Sequence, residues 1–308
     1  MSKRRWVNLS ISPSEEAAAL GFDEYAINRI AVRLAQFLLF RDYNVAFGHD
    51  WREDGVMRAV AELAETAASG GRLNELHDGS ARMLNLVAQA RDTLSKEALG
   101  TAALAGNILR VHALDDRVNN GDWQGLLTQA EQPFIATRIE SLSGPGPHPD
   151  RACQLWVLRY ALTRLSPIGC RICVGGKTAA YQGYYAGVAE EAYLALRHGQ
   201  PLYLIGGFGG VAGAVASVLA DPQATAHDCL NPPNKPDTDA LAARQRMAAA
   251  LDLPLSGLAA WFGECGLGGL ARGNGLSEEQ NLRLFACTDI EAALGLIAQG
   301  LRVLAKRG

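Results

Sequence analysis

Cys170-Arg171-Ile172-Cys173-Val174 reads as a buried strand, and it stops on Gly175-Gly176-Lys177. After a loop carrying Tyr181, Gly183, Tyr184 and Tyr185, the segment Gly187-Val188-Ala189-Glu190-Glu191 opens a helix that runs to about Arg197. Pro201-Leu202-Tyr203-Leu204-Ile205 is another buried strand, ending in Gly206-Gly207-Phe208-Gly209-Gly210, and Val211 to Leu219 continues as an apolar helix. Strands alternating with helices in this way build a parallel sheet with helices on its faces. In open parallel sheets ligands bind at the carboxyl ends of the strands, where both glycine clusters fall.

The opening of the chain repeats the pattern. Trp6 to Ser12 is a strand candidate with Val7, Leu9 and Ile11 on one face, ended by Pro13 and Ser14. A helix over Glu24 to Arg41 carries Ile27, Ile30, Leu34, Phe37 and Leu38 at helical spacing. Tyr43 to Phe47 is a short strand stopped by Gly48-His49-Asp50, and Val56 to Ala68 is a second helix. Further on, the spacing predicts a helix over Ala81 to Ala98 and a third strand over Asn107 to His112. Ser143 to Pro149 is a stiff loop, followed by an amphipathic helix from Asp150, its N-cap, to about Leu165. Asp221 to Asp239 is rich in Pro, Asn and Asp and reads as an exposed connection. Helical patches at Ala240 to Leu251 and Ser256 to Phe262, a strand over Asn281 to Ala286 and a closing helix over Ile290 to Leu304 complete the chain. The expectation is one α/β domain over residues 1–308, Rossmann-like and doubly wound, with a mainly parallel sheet and helical insertions near 70–100 and 222–280.

Composition narrows the function classes. The 308 residues are 48% hydrophobic and 20% charged, with a formal net charge of -3. Mild acidity without a basic block argues against a nucleic-acid binder that works by neutralising phosphates. No apolar run reaches the roughly 18 to 20 residues that span a bilayer. Cys153, Cys170, Cys173, Cys229, Cys265 and Cys287 read as mostly buried, reduced thiols, so a cytoplasmic location is expected. Cys170-x-x-Cys173 has no second pair, and the histidines show no metal spacing, so neither a metal nor a cofactor is expected.

The candidate site gathers at the glycine-ended strands. Backbone N–H groups of Gly175 and Gly176, and of Gly207, Phe208, Gly209 and Gly210, would cradle phosphates; the alternative is that these glycines serve tight turns. Gly207-x-Gly209-x-x-Ala212 is a near match to the dinucleotide fingerprint and not the full one. Lys177 follows the first pair as a point charge for phosphate, or as a solvated loop lysine; the Walker loop that would make it a P-loop lysine is absent. Glu190 and Glu191 sit in a first helical turn, where acids are favoured by the helix dipole; beside a phosphate cradle one of them binds ribose or supports cleavage of an N-glycosidic bond. Tyr181, Tyr184 and Tyr185 can stack on a base or pack over the strand edge. Asp50 and Arg52, at the end of the second strand, are further contacts or a local salt bridge.

These residues together resemble the SLOG superfamily, which holds the LOG (lysine-decarboxylase-like) phosphoribohydrolases, the DprA fold and sensor domains of bacterial anti-phage systems. The resemblance rests on the strand to Gly175-Gly176-Lys177, on Gly187 to Glu191 opening a helix, and on the strand to Gly206-Gly207-Phe208-Gly209-Gly210. It implies a Rossmann-like fold that binds a nucleotide or nucleotide-sugar at the strand ends. Laid on the LOG pattern P-G-G-x-G-T-x-x-E, Gly187 takes the third glycine and Glu191 the catalytic glutamate. Val188 stands where that pattern has threonine, and a long insertion separates Gly176 from Gly187. The resemblance therefore leans to the sensor-type members, which recognise NAD-derived signals of the ADP-ribose kind in defence or stress signalling. An N-glycosidase or phosphoribohydrolase using Glu191 is the alternative, and single-stranded DNA binding as in DprA the third. A sensor of this kind is expected to self-assemble or to act through an effector protein.

Overall fold

The computed structural model describes residues 6–48, 51, 55–69, 81–88, 100, 108–113, 151–164, 168–224, 227–231, 253–254 and 256–307. Among them, β1 (Trp6–Ser12), β2 (Asn44–Gly48), β3 (Met83–Val87), β4 (Leu109–Ala113), β5 (Ile168–Gly175) and β6 (Leu202–Ile205) form one sheet in the order β4-β3-β2-β1-β5-β6. Every pairing is parallel. Helices lie on both faces, so the fold is Rossmann-like α/β, as the glycine-ended strands predict.

Because both faces are covered, alternate residues of each strand enter two different cores. Val7, Leu9, Val45, Phe47, Ile172, Val174 and Tyr203 join one core with α2 (Glu24–Leu39), α3 (Val56–Ser69), α8 (Glu278–Phe285) and α9 (Ile290–Arg307). Ala46, Leu84, Leu86, Cys173, Leu202 and Leu204 join the other with α4 (Arg151–Arg164), α5 (Gly187–Arg197), α6 (Gly210–Ala220) and α7 (Leu258–Asn274). The helix α6 buries almost every side because it lies between the sheet and α7. Helix starts are set locally: Asp23 accepts from the Ala26 N–H at 2.8 Å, and Ser277 with Gln280 forms a capping box before α8.

Two sequence expectations are corrected. Residues 81–98 were expected as a helix within a helical insertion near 70–100, but Met83–Val87 is the strand β3, buried on both faces. A short apolar run cannot be told from a buried helix by periodicity alone. Asn281 to Ala286, expected as a strand, lies in α8, where the buried Asn281 and Leu284 are three residues apart on one helical face. The patch Ser256 to Phe262 extends through α7, and a short helix α1 (Glu15–Ala19), capped by Ser14, follows Pro13. The predicted helix over Ala240 to Leu251 and the predicted cap Asp150 lie outside the described residues.

Candidate functional site

The chain winds outward from β1 through β2, β3 and β4, then crosses to β5 and β6 on the other side of β1. The β1–β5 pair is therefore the topological switch point, where a crevice opens outside the strand ends. Gly175 ends β5 at φ +61°, and a Cβ there would stand 2.5 Å from the Ser12 carbonyl oxygen, so only glycine lets the two strand ends approach. The Gly176 N–H then donates to the Ser12 carbonyl at 2.8 Å, and the Gly176 carbonyl accepts from Val211 at 3.0 Å. The loops after β1, β5 and β6 are thus tied into one platform.

A cavity of about 330 Å³ opens beside this platform, lined by Ser10 and Ser12 of β1, Gly48 of β2, Arg159 of α4, Lys177 and Tyr181 of the loop after β5, and Gly187 and Glu191 of α5. Glu191 is the one acid among the described lining residues. It is 12% exposed and stands 3.3 Å from a guanidinium nitrogen of Arg171, which is wholly buried. Arg171 also donates to the Ser10 hydroxyl at 2.7 Å and to the Thr163 hydroxyl at 2.8 Å. Lys177 is exposed at the rim of the same cavity.

The neighbouring acid has a different place. Glu190 is wholly buried; one carboxylate oxygen accepts from the Tyr185 N–H at 2.9 Å and the other from the Arg159 guanidinium. Burial pushes its carboxyl above the ordinary value, opposed by Arg159 and by the Tyr185 N–H. Both oxygens are used, so Glu190 fastens the loop 178–186 onto α4. Tyr185 is buried too, its hydroxyl donating to the Pro254 carbonyl and its ring edge-on to Tyr184 at 4.9 Å. Tyr181, half-buried, is the loop tyrosine that lines the cavity.

The second glycine cluster follows β6 and is taken up with packing inside the protein. A Cβ on Gly207 would stand 2.2 Å from the Cys287 carbonyl oxygen, so this glycine lets the turn after α8 pack against the end of β6. Phe208 is buried edge-on against Phe22 with centroids 4.8 Å apart. The Gly210 N–H at the start of α6 donates to the Glu16 carboxylate at 3.1 Å, so a side chain of the protein itself satisfies that helix terminus. Gly209 and Gly210 line a separate cavity with Glu16. Asp50 and Arg52 lie outside the described residues; Trp51 between them donates to the Asn85 side chain at 2.8 Å. Of the expected contacts, Lys177, Gly187 and Glu191 are brought together at the cavity, with Gly175 and Gly176 forming the platform beside it.

Arg159 and Arg171 went unrecognised in the sequence, and Ser10, Ser12 and Gly48 were not named there as contacts. Arg171 did carry a signal, because an arginine inside an otherwise apolar strand must find partners. A larger groove of about 1270 Å³ between α2, α3 and the start of α9 holds the ion pairs Arg33–Glu291 and Arg58–Glu62. It is away from the switch point, so the smaller cavity is the stronger candidate. Among the described residues no cluster of His, Cys, Asp and Glu could hold a metal, and no helix is long and apolar enough to cross a membrane.

A parallel sheet with a charged cavity at its switch point defines a Rossmann-like α/β ligand-binding architecture. The sequence matches the SLOG cluster2 family over residues 2–284, and the chain belongs to that family, which makes it a nucleotide-related Rossmann-like domain. No curated protein matches the sequence, and no solved structure does.

Proposed function

We propose that the protein binds an NAD-derived nucleotide-sugar of the ADP-ribose kind, or a simpler nucleotide, in the switch-point cavity. The observation that carries this reading is that Glu191 and Lys177 line the same cavity. A carboxylate accepts hydrogen bonds and suits ribose hydroxyls, while an ammonium suits phosphate. At about 330 Å³ the cavity lies near the lower end of the range of about 300–1,000 Å³ for small-ligand sites. It takes a ribose-phosphate portion, with the remainder of a larger ligand extending past Tyr181. A bacterial defence or stress-signalling role, a cytoplasmic location, and self-assembly or an effector protein to transmit the bound state belong to the same reading.

The test is a thermal-shift screen against NAD, ADP-ribose, cyclic ADP-ribose isomers, AMP and CMP, with product analysis of each hit. A ligand at a hundred times its dissociation constant stabilises the fold by about 2.7 kcal/mol. The expected result is a shift with the ligand recovered intact, and an affinity at least about tenfold weaker in Lys177→Ala and in Glu191→Ala, about 1.4 kcal/mol each. No shift with any of the five would remove the reading.

A second reading, N-glycosidic cleavage with Glu191 as the catalytic carboxylate, is favoured by Glu191 being the one acid among the described lining residues. Against it, Val188 is buried and packs on Gly176, offering no hydroxyl where the LOG pattern has one. Release of free base that disappears in Glu191→Ala would establish this second reading over the first.

A further inference from the structure

Arg171 presents a puzzle that ligand binding resolves. It sits on β5 with its whole side chain buried, facing α4 and α5 together with Cys173. Taking a guanidinium out of water is costly, and apolar residues of similar volume serve packing as well or better. What Arg171 does that an apolar residue cannot is visible in its partners. Ser10 on β1 and Thr163 on α4 accept from its two terminal nitrogens at 2.7 and 2.8 Å, which fixes the plane of the guanidinium from two sides. The carboxylate it meets is Glu191, at 3.3 Å, reaching down from α5. The two cations that do line the cavity stand elsewhere: Arg159 is engaged by Glu190, and Lys177 is out at the rim.

We propose that Arg171 is a positioning residue of the site: from beneath the cavity floor it holds the Glu191 carboxylate at one point, so that the ribosyl hydroxyls of the ligand are taken there and its phosphate at Lys177. This rests on the nucleotide-sugar reading of the cavity. Ser10 and Thr163 set the guanidinium, the guanidinium sets the carboxylate, and the carboxylate touches the ligand. Without Arg171, Glu191 keeps its place in the chain and loses its fixed orientation.

The test is a double-mutant cycle read by calorimetric titration with ADP-ribose. Arg171→Met, which keeps most of the volume and removes the charge, is measured in the parent and in Glu191→Ala. Positioning through Glu191 predicts a loss of at least about tenfold in the parent and less than about twofold in Glu191→Ala, with Arg171→Lys recovering part of the loss. A merely structural arginine would weaken binding equally in both backgrounds, and that result overturns the proposal, as does parent-like binding by Arg171→Met. If Arg171→Met fails to fold, Thr163→Val releases one guanidinium nitrogen while keeping the charge. It is expected to weaken binding about threefold, again only where Glu191 is present. If Glu191→Ala binds ADP-ribose as tightly as the parent, or the parent does not bind it, the cavity reading itself falls and the proposal with it. Equal losses in both backgrounds leave that reading standing.

Discussion

Asn8 and Asn274 are both wholly buried asparagines, and their surroundings predict opposite effects of replacement. Asn8 lies in the middle of β1, between Ala46 of β2 and Arg171 of β5, and neither atom of its amide has a hydrogen-bond partner among the described residues. An unpaired buried polar group costs about 1–3 kcal/mol, and valine suits a central strand. Asn8→Val is therefore expected to stabilise the fold by about 1–2 kcal/mol, seen as a higher urea midpoint at unchanged slope. Asn274 donates to the Leu202 carbonyl at 2.9 Å and to Asn281 at 2.7 Å, and accepts from the Leu276 N–H at 3.0 Å. Removing it leaves those partners unmet, so Asn274→Ala is expected to lower stability by more than about 2 kcal/mol in the same titration. A midpoint that falls in Asn8→Val would mean the amide is satisfied after all.

Among the elements, the glycine-ended strands show how far a sequence pattern reaches. Both clusters were legible as strand ends, and both do end strands. Their division of labour was not legible, because it depends on what packs behind them. Gly175 and Gly176 face β1 at the switch point, whereas Gly207 faces the turn after α8, an element some eighty residues further along that the sequence presented as a strand. The alternation of Leu282 and Leu284 suggests a strand, while the Ser277–Gln280 capping box just before it gives the helical answer. Glu191 was likewise legible from its place near the start of α5, but its partner Arg171 was not, since strand alternation alone does not say which helix lies above it. Gly207→Ala forces a methyl to within 2.2 Å of the Cys287 carbonyl oxygen. Displacing that turn is expected to cost about 3 kcal/mol or more. Gly295→Ala, in α9 with open space around the new methyl, is expected to gain about 0.5–1 kcal/mol from helix propensity and chain entropy. Thermal melts of the two variants should move in opposite directions, and a Gly207→Ala protein as stable as the parent would show that the turn yields freely.

At the scale of the whole molecule, the doubly wound sheet has a consequence for how stability depends on pH. The strands β1 and β5 are covered on both faces, so Cys173 lies in the interior between the sheet and the helices, and burial pushes its thiol from 9.0 up to about 12 despite the nearby Arg171. Cys229, under α6, is pushed up to about 11, chiefly by burial as well. The unfolded chain loses these protons first, so between about 9 and about 12 the native state binds more protons than the unfolded state. Stability must therefore fall as pH rises through that window and be fully present below it. For a single thiol the slope is about 1.4 kcal/mol per pH unit. Cys173→Ala removes the Cys173 contribution and leaves the rest, so its stability deficit relative to the parent should be constant at neutral pH. Above pH 9.0 the deficit should shrink by about 1.4 kcal/mol per unit. Urea titrations in reducing buffer at a series of pH values, parent beside variant, measure this directly. A deficit that stays constant across the alkaline range would mean that the Cys173 thiol titrates in the fold as it does in the open chain, and that the interior between sheet and α4–α5 admits water to the strand.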